Sequence, residues 1–167
     1  MANFNPYDNR NKNTGAQSRP AQGQYGRPAQ YGNGGGFQQP AVQIAAAKEI
    51  PANYADAAEK AIQSAGGNKI KTSKLRNLFG LFSDVYDDVL RSHDDKLSAD
   101  QQTRLTGARV RMIYECGRER DVKDFITGTE LISYVLSIKD DASKLIRFYH
   151  YFEALVAYHR YIYGEVK

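Results

Sequence analysis

The chain of 167 residues is long enough for one domain with a hydrophobic core and too short for two ordinary domains. Its 23 Lys and Arg residues against 19 Asp and Glu give a net charge of +4, and a single cysteine excludes both a disulfide framework and a zinc site built from thiolates. No apolar run reaches the ~20 residues of a membrane-spanning helix and the N-terminus has no apolar stretch like a secretory signal, so we expect a cytoplasmic protein with no membrane partner.

The first predicted segment, residues 1–52, is a low-complexity tail rich in Gly, Gln, Asn and Tyr. Five of the Lys and Arg residues and two of the acids lie here, so the net charge of the remainder is close to neutral. Such a composition buries too little apolar area to offset the entropy of ordering a backbone, which predicts disorder. The scattered Arg and Tyr residues either bind single-stranded nucleic acid weakly or only keep the chain soluble.

Residues 53–167 are rich in Leu, Ile, Val, Phe and Tyr, and their spacing predicts a single bundle of about five helices. No segment shows the two-residue alternation of a half-buried strand, so the predicted class is all-α. Helix one covers residues 54–65, with Asn53 before it and Gly66-Gly67 after it. Helix two covers residues 73–90 and has the strongest apolar stripe, which runs from Leu75 to Val89 at three- and four-residue intervals.

Basic residues crowd the start of helix two, where the helix dipole favours anions. They are Lys69, Lys71, Lys74 and Arg76. Free backbone amides at a helix start already attract phosphate, and the lysines add to that attraction. We therefore predict a phosphate-binding site here, against the alternative of a chance charge pattern.

Helix three begins at Ser98, which forms a capping-box pattern with Gln101, and continues to about residue 116. Arg104, Arg111 and Arg118 repeat every seven residues and share one side of the helix within ~40°, a row suited to a phosphate backbone. Arg120 and Lys123 follow directly and extend this candidate RNA-binding set. The alternative is a solvated face on which these arginines only pair with Asp100 and Glu115.

Helix four covers residues 122–138, and its apolar residues lie on more than one side, so it is either buried on both faces or bent at Gly128. Helix five follows the Asp140-Asp141 cap and extends to about residue 163. One of its flanks carries Arg147, Tyr151 and Tyr158, a set suited to base stacking or to a protein interface. If the bound RNA is already base-paired, the interface is favoured.

No catalytic or metal-binding pattern accompanies these helices. Adjacent helical aspartates point ~100° apart, and the histidines lack the further ligands of a metal shell. No nucleophile elbow, zinc-protease or nucleotide-binding motif occurs. The sequence therefore predicts a protein that is not an enzyme and needs no cofactor.

Three segments carry a family resemblance. "KLRNLFGLFSDVY" at 74–86, "YECGRERDVKDF" at 114–125 and above all "RFYHYFEALVAYHRYIYG" at 147–164 resemble the small helical subunit of type III-A CRISPR (Csm) effector complexes. The resemblance covers residues 53–167. Lys74, Arg76 and Arg118 lie within the matching motifs, whereas Arg104 and Arg111 depend on the helical wheel alone.

The resemblance implies a subunit of a prokaryotic antiviral ribonucleoprotein, stacked in several copies beside backbone ribonuclease subunits and a polymerase-like large subunit. Such a subunit holds the guide and target RNA duplex through phosphates, without sequence preference and without cleaving it. Two rival hypotheses stay open: a helical protein–protein adaptor without a nucleic-acid role, and a metal-dependent helical enzyme.

Overall fold

The computed structural model describes residues 44–164, and over this range the protein is all-α. Its seven helices, in chain order, are α1 (Tyr54–Ser64), α2 (Thr72–Gly80), α3 (Ser83–Ser92), α4 (Ala99–Arg118), α5 (Arg120–Gly128), α6 (Leu131–Ile138) and α7 (Ala142–Tyr163). The described residues form no strand, although Lys96 and Asp141 make one isolated antiparallel bridge. The predicted class is confirmed, and the predicted disordered tail lies outside the described residues up to residue 43.

The predicted helix two is interrupted and becomes α2 and α3. Leu81 and Phe82 donate their N–H groups to the carbonyls of Leu78 and Phe79, three residues earlier, which tightens the chain after Gly80. Phe82 is 1% exposed and packs its ring edge-on against Phe148 at 5.0 Å. The apolar stripe predicted across both helices is buried, but it belongs to two helices that meet at a buried phenylalanine.

The predicted helix four is also two helices. Of the two predictions for its apolar pattern, the bend near Gly128 describes the chain, because α5 ends at that residue and Glu130 takes a left-handed conformation at φ 58°. A Cβ on Gly128 would lie 2.7 Å from the Cβ of Ala65, so only glycine lets these two segments approach. Beyond the bend, α6 is buried on nearly every side.

Helix α7 is the centre of the bundle and contacts α1, α2, α3 and α6. Phe148 and Phe152 on α7 are fully buried and pack against Phe82 of α3's N-terminal cap and Phe79 of α2. Helix α4 packs on the other side of the core against α3, α5 and α6, and its predicted capping box is present. Bulky aromatic side chains of α7 thus pack against α2 and the start of α3 and fix them on the central helix.

The segment before α1 also packs on the bundle. Ile50 is 6% exposed, and the N–H of Lys48 donates to the carbonyl of Ser133 on α6 at 3.1 Å. The carboxylate of Glu49 pairs with Lys144 at 2.6 Å. Ordered packing therefore begins several residues before the predicted domain start at 53.

Candidate nucleic-acid interface

One nearly buried carboxylate, Glu115, gathers three cations between α2 and α4. The Nζ of Lys74 lies 3.0 Å from Glu115 and 2.6 Å from Glu119. Arg111 Nε and Arg118 Nη1 lie 3.7 and 3.6 Å from the other oxygen of Glu115. We call Lys74, Arg111, Glu115 and Arg118 the Glu115 cluster.

The electrostatics of the Glu115 cluster favour the charged forms of Glu115 and Lys74. The hydrogen bond from Lys74 lowers the pKa of Glu115, and the two arginines act in the same direction. The carboxylates of Glu119 and Glu115 raise the pKa of Lys74 in return. Two carboxylates, Glu115 and Glu119, face three cations, and the Arg111 and Arg118 side chains are 64% and 56% exposed, so positive charge remains for a ligand.

An exposed tyrosine lies between the two arginines. Tyr114 is 56% exposed, and the guanidinium carbons of Arg111 and Arg118 lie 5.8 and 5.7 Å from its ring centroid. Such stacking limits the conformations of both arginines and keeps them extended along the surface. Sequence reasoning missed Tyr114; the available signal was its position three residues after one arginine and four before the next.

A series of grooves continues from the Glu115 cluster around the start of α2. The first groove lies at the Glu115 cluster, and Lys74 lines it. Lys74 also lines a second groove, of about 350 Å³, together with Lys69 and Lys71. These two lysines and Arg160 of α7 line a third groove, and Arg160 and Arg76 line a fourth. We call the seven cations along these grooves the basic track: Lys69, Lys71, Lys74, Arg76, Arg111, Arg118 and Arg160.

A buried histidine fixes the loop that carries Lys69 and Lys71. His159 is 1% exposed, and its Nε2 lies 2.9 Å from the carbonyl oxygens of both Gly67 and Ile70. Both partners are acceptors, so Nε2 carries the proton and donates, while the Thr72 hydroxyl lies 3.3 Å from Nδ1. The loop is therefore held by α7, and Arg160, which sequence reasoning also missed, is the next residue along that helix.

Arg104 does not join the basic track, although its spacing predicted that it would. Its guanidinium pairs with Asp88 of α3, and its Nε lies 2.9 Å from Asp100. Arg104 lowers the pKa of Asp88, and Asp88 raises that of Arg104. The helical wheel could not predict this pairing because the acid lies on a neighbouring helix.

Arg120 and Lys123 are exposed on α5 and line none of the grooves described above. Arg120 is 91% exposed in its side chain and lies 3.8 Å from Asp124 one turn later. The structure thus brings seven cations together and leaves Arg104, Arg120 and Lys123 apart from them.

The predicted partner patch on α7 is wrong at Tyr151. This side chain is 1% exposed, and its hydroxyl donates to the carbonyl of Thr129 at 2.9 Å. It faces the core because α6 packs over that flank of α7, with the ring of Tyr134 edge-on at 5.1 Å. Arg147 is exposed and Tyr158 is half-buried, so they remain available at the surface.

Comparison with known protein families decides the identity. The family model described as Csm2 Type III-A matches residues 48–165, which is more than half of the chain. The chain belongs to the Csm2 family. It is therefore a type III-A CRISPR subunit, as the sequence resemblance indicated.

Curated relatives agree with the Csm2 assignment, and each has the name "CRISPR system Cms protein Csm2". The relative from Streptococcus thermophilus is 36% identical over 118 residues, which cover 68% of this chain and 93% of the relative. One from Enterococcus italicus is 41% identical over 97 residues, covering 56% and 69%. One from Mycobacterium tuberculosis (strain H37Rv) is 33% identical over 96 residues, covering 58% and 77%.

The Csm2 match includes the Glu115 cluster and the whole basic track, since both lie between residues 69 and 160. Within residues 44–164, no helix is long and apolar enough to cross a bilayer. Over the same residues, no three His, Cys, Asp or Glu side chains are grouped so that they could hold a metal ion.

Proposed function

We infer that this Csm2-family chain is a non-catalytic subunit that holds the guide–target RNA duplex of a type III-A CRISPR complex through its basic track. The observation that carries this proposal is that Arg111 and Arg118 stay exposed while one carboxylate and one aromatic ring hold them in place. A pre-positioned cation loses little conformational freedom when it binds a phosphate, which favours recognition of an RNA backbone.

Duplex RNA suits the chemistry of this surface. In a base-paired duplex the base faces are covered, so a protein meets phosphates and 2′-hydroxyls instead of bases. The grooves of the basic track carry seven cations and few exposed aromatic rings, and they are also lined by four acids, Glu115, Glu119, Asp121 and Glu153. The excess of cations suits sequence-independent phosphate binding. In an RNA-guided complex, base pairing itself reads the sequence, and the protein only has to hold the backbone.

The partners in this proposal are the guide and target RNA, the backbone ribonuclease subunits, the polymerase-like large subunit and neighbouring copies of the same chain. A nearly neutral domain with a local basic surface binds RNA weakly alone. Several copies in one assembly raise the effective concentration, so each copy needs only modest affinity. The complex acts in antiviral defence in the prokaryotic cytoplasm.

The absence of catalysis in this proposal is supported by the use of the reactive side chains in packing. His159 holds the loop before α2, and His150 Nε2 lies 3.1 Å from the hydroxyl of Tyr86. Burial raises the pKa of the Cys116 thiol, which disfavours the reactive thiolate. These groups therefore have structural partners that a catalytic role would have to displace.

The test replaces Arg111 and Arg118 together by glutamine and uses Arg104→Gln as the matched control on the same helix. Each phosphate contact contributes about 0.9 to the slope of log affinity against log salt, so the double variant should lower that slope by about two in the assembled complex. Arg104→Gln should leave RNA retention unchanged and lower stability instead, since Arg104 pairs with Asp88.

Binding of guide–target duplexes of two unrelated sequences is measured in both variants. Equal losses for the two duplexes fit a backbone contact. Unchanged RNA retention in the Arg111/Arg118 double variant would reject the proposal and favour a helical adaptor without a nucleic-acid role.

A further inference from the structure

A small pocket lined by two cations lies between α4 and α6, apart from the basic track. Arg109 of α4 and Lys139, the residue after α6, line it together with Thr106, and its volume is about 180 Å³. Leu105, Val135 and Leu136 form its apolar wall. On α4, Arg109 precedes Arg111 by two residues, or about 200° around the helix, so the pocket opens on the opposite flank from the Glu115 cluster.

Among the residues that the structure describes, no carboxylate pairs with the two cations of this pocket. None of the lining residues is acidic, and neither Arg109 nor Lys139 lies within ion-pair distance of a carboxylate in residues 44–164. The nearest acid in sequence, Asp140, is engaged by Lys96 at 3.0 Å. The Glu115 cluster differs, because there a carboxylate already occupies the centre of the cations.

The backbone of Lys139 has a positive φ, which is unfavourable for a lysine. Its φ of 52° and ψ of −107° match the first central position of a type II′ turn, and the N–H of Asp141 closes that turn on the carbonyl of Ile138 at 2.9 Å. Glycine is the usual residue at this position because a Cβ is disfavoured there. A lysine at this point places an ammonium group at the pocket at a cost in backbone energy.

We propose that Arg109 and Lys139 form a binding site for a dianionic phosphate group, either free phosphate or the terminal phosphate of a nucleic-acid strand. Two cations that have no carboxylate partner within residues 44–164 balance the charge of about −2 on a phosphate monoester near neutral pH better than they balance a carboxylate or an internal phosphodiester. The guanidinium, the ammonium and the Thr106 hydroxyl supply several donors, which match the several oxygens of one phosphate. This site goes beyond the proposed duplex contacts, and its test does not depend on them.

The test titrates the full chain with inorganic phosphate at constant ionic strength and follows backbone amide shifts by NMR. Saturable shifts at Thr106, Arg109 and Lys139 are expected. Lys139→Gly removes the ammonium and relieves the positive φ, so the variant should fold at least as well as the parent and bind phosphate about tenfold more weakly. The Arg111→Gln/Arg118→Gln variant is the control, and it should bind phosphate at this pocket like the parent.

A second arm separates the two sources of the phosphate. A short oligonucleotide with a 5′-phosphate and the same oligonucleotide with a 5′-hydroxyl are compared as competitors. Competition by the phosphorylated strand alone assigns the site to a strand end, and competition by neither assigns it to free phosphate; both results support the site. Non-saturating shifts, unchanged binding in Lys139→Gly, equal competition by both strands, or binding of poly-glutamate in place of phosphate would each overturn it.

Discussion

Around Glu115 the balance between three cations and two carboxylates, Glu115 itself and Glu119, decides how much positive charge a ligand meets. The side chain is nearly buried, so its charge acts on Lys74, Arg111 and Arg118 with less screening than a surface acid would have. The carboxylate reduces the net charge of the surface and fixes the geometry of the cations. It organises the proposed interface without having to contact RNA.

Replacing Glu115 by glutamine should therefore change how stability depends on pH. Lys74 lowers the pKa of Glu115 in the folded state, so the carboxylate contributes stability above its unfolded pKa of about 4.3 and loses that contribution as pH falls through the folded pKa. Glu115→Gln should be less stable than the parent at pH 7, and the two should converge below about pH 4.3. Urea unfolding midpoints from pH 7 to pH 3 measure the gap, with the exposed Glu59→Gln as control. A gap that stays constant across this range would contradict the prediction.

Tyr151→Phe tests the corrected position of that side chain. The change leaves the buried carbonyl of Thr129 without the Tyr151 hydroxyl, which should cost about 1–2 kcal/mol of unfolding free energy. Chemical denaturation measures this, and Tyr161→Phe, at an 87% exposed residue, is the control that should stay within experimental error of the parent. Equal stability of the Tyr151 and Tyr161 variants would mean that Tyr151 is exposed after all.

The contacts of a single residue were predicted well from the sequence where its partners lie on the same helix. The capping box of Ser98 and Gln101 is present because both partners are three residues apart. For Arg104, the alternative that it pairs with Asp100 on the same helix is present, whereas its second partner, Asp88, lies on another helix and could not be predicted. Tyr151 was placed wrongly because its partner, Thr129, belongs to another element. A helical wheel describes one helix at a time and cannot indicate which of its flanks a neighbour covers.

At the scale of elements, the seven helices result from two breaks: one in the continuous apolar stripe of the predicted helix two, and one near Gly128, where a bend was one of the two alternatives. Apolar periodicity predicts which residues are buried, and most of those on α2, α3 and α7 are. It does not predict where a stripe changes direction, because a short turn such as Leu81-Phe82 keeps the three- and four-residue spacing. Gly128 indicated the second break, since helix-interior glycine is unfavourable unless a close approach requires it.

Gly128→Ala should weaken the junction between α1 and α5. The new Cβ would lie 2.7 Å from the Cβ of Ala65 and 3.1 Å from its Cα, so backbone has to shift, at about 1–3 kcal/mol of stability. Gly107→Ala is the matched control on α4, where an added Cβ meets no atom within 4 Å. Because alanine favours a helix more than glycine does, the unfolding free energy of the Gly107 variant should rise by up to about 1 kcal/mol. Thermal unfolding of both variants measures the difference, and a Gly128 variant as stable as the parent would show that the contact is not tight.

Over the whole molecule, the bundle extends further towards the N-terminus than composition indicated. The sequence predicted a single helical domain from residue 53, because residues 44–52 contain four Ala, one Lys-Glu pair and only two large apolar side chains, Ile44 and Ile50. Ile50 is buried nonetheless, and the backbone of Lys48 hydrogen-bonds to α6. A single apolar side chain that packs against a preformed surface leaves no periodic signal.

A chain that starts at residue 53 should therefore be less stable than one that starts at residue 44. Loss of the buried Ile50 side chain costs about 2 kcal/mol, and loss of the pairing between Glu49 and Lys144 adds a small amount because both groups are at the surface. Urea denaturation of the two truncated chains measures the difference, and Ile50→Ala in the full chain is the companion variant. Equal midpoints would place the start of the domain at residue 53.

The central position of α7 has a consequence for how the cell makes this subunit. Helices α1, α2, α3 and α6 all bury their apolar faces against a segment that the ribosome synthesises after them. Until residues 142–163 leave the ribosome, the growing polypeptide exposes the apolar surfaces that α7 covers in the folded protein. Chaperones and proteases recognise such surfaces. We therefore expect a product that ends before α7 to be degraded, so that complete copies accumulate.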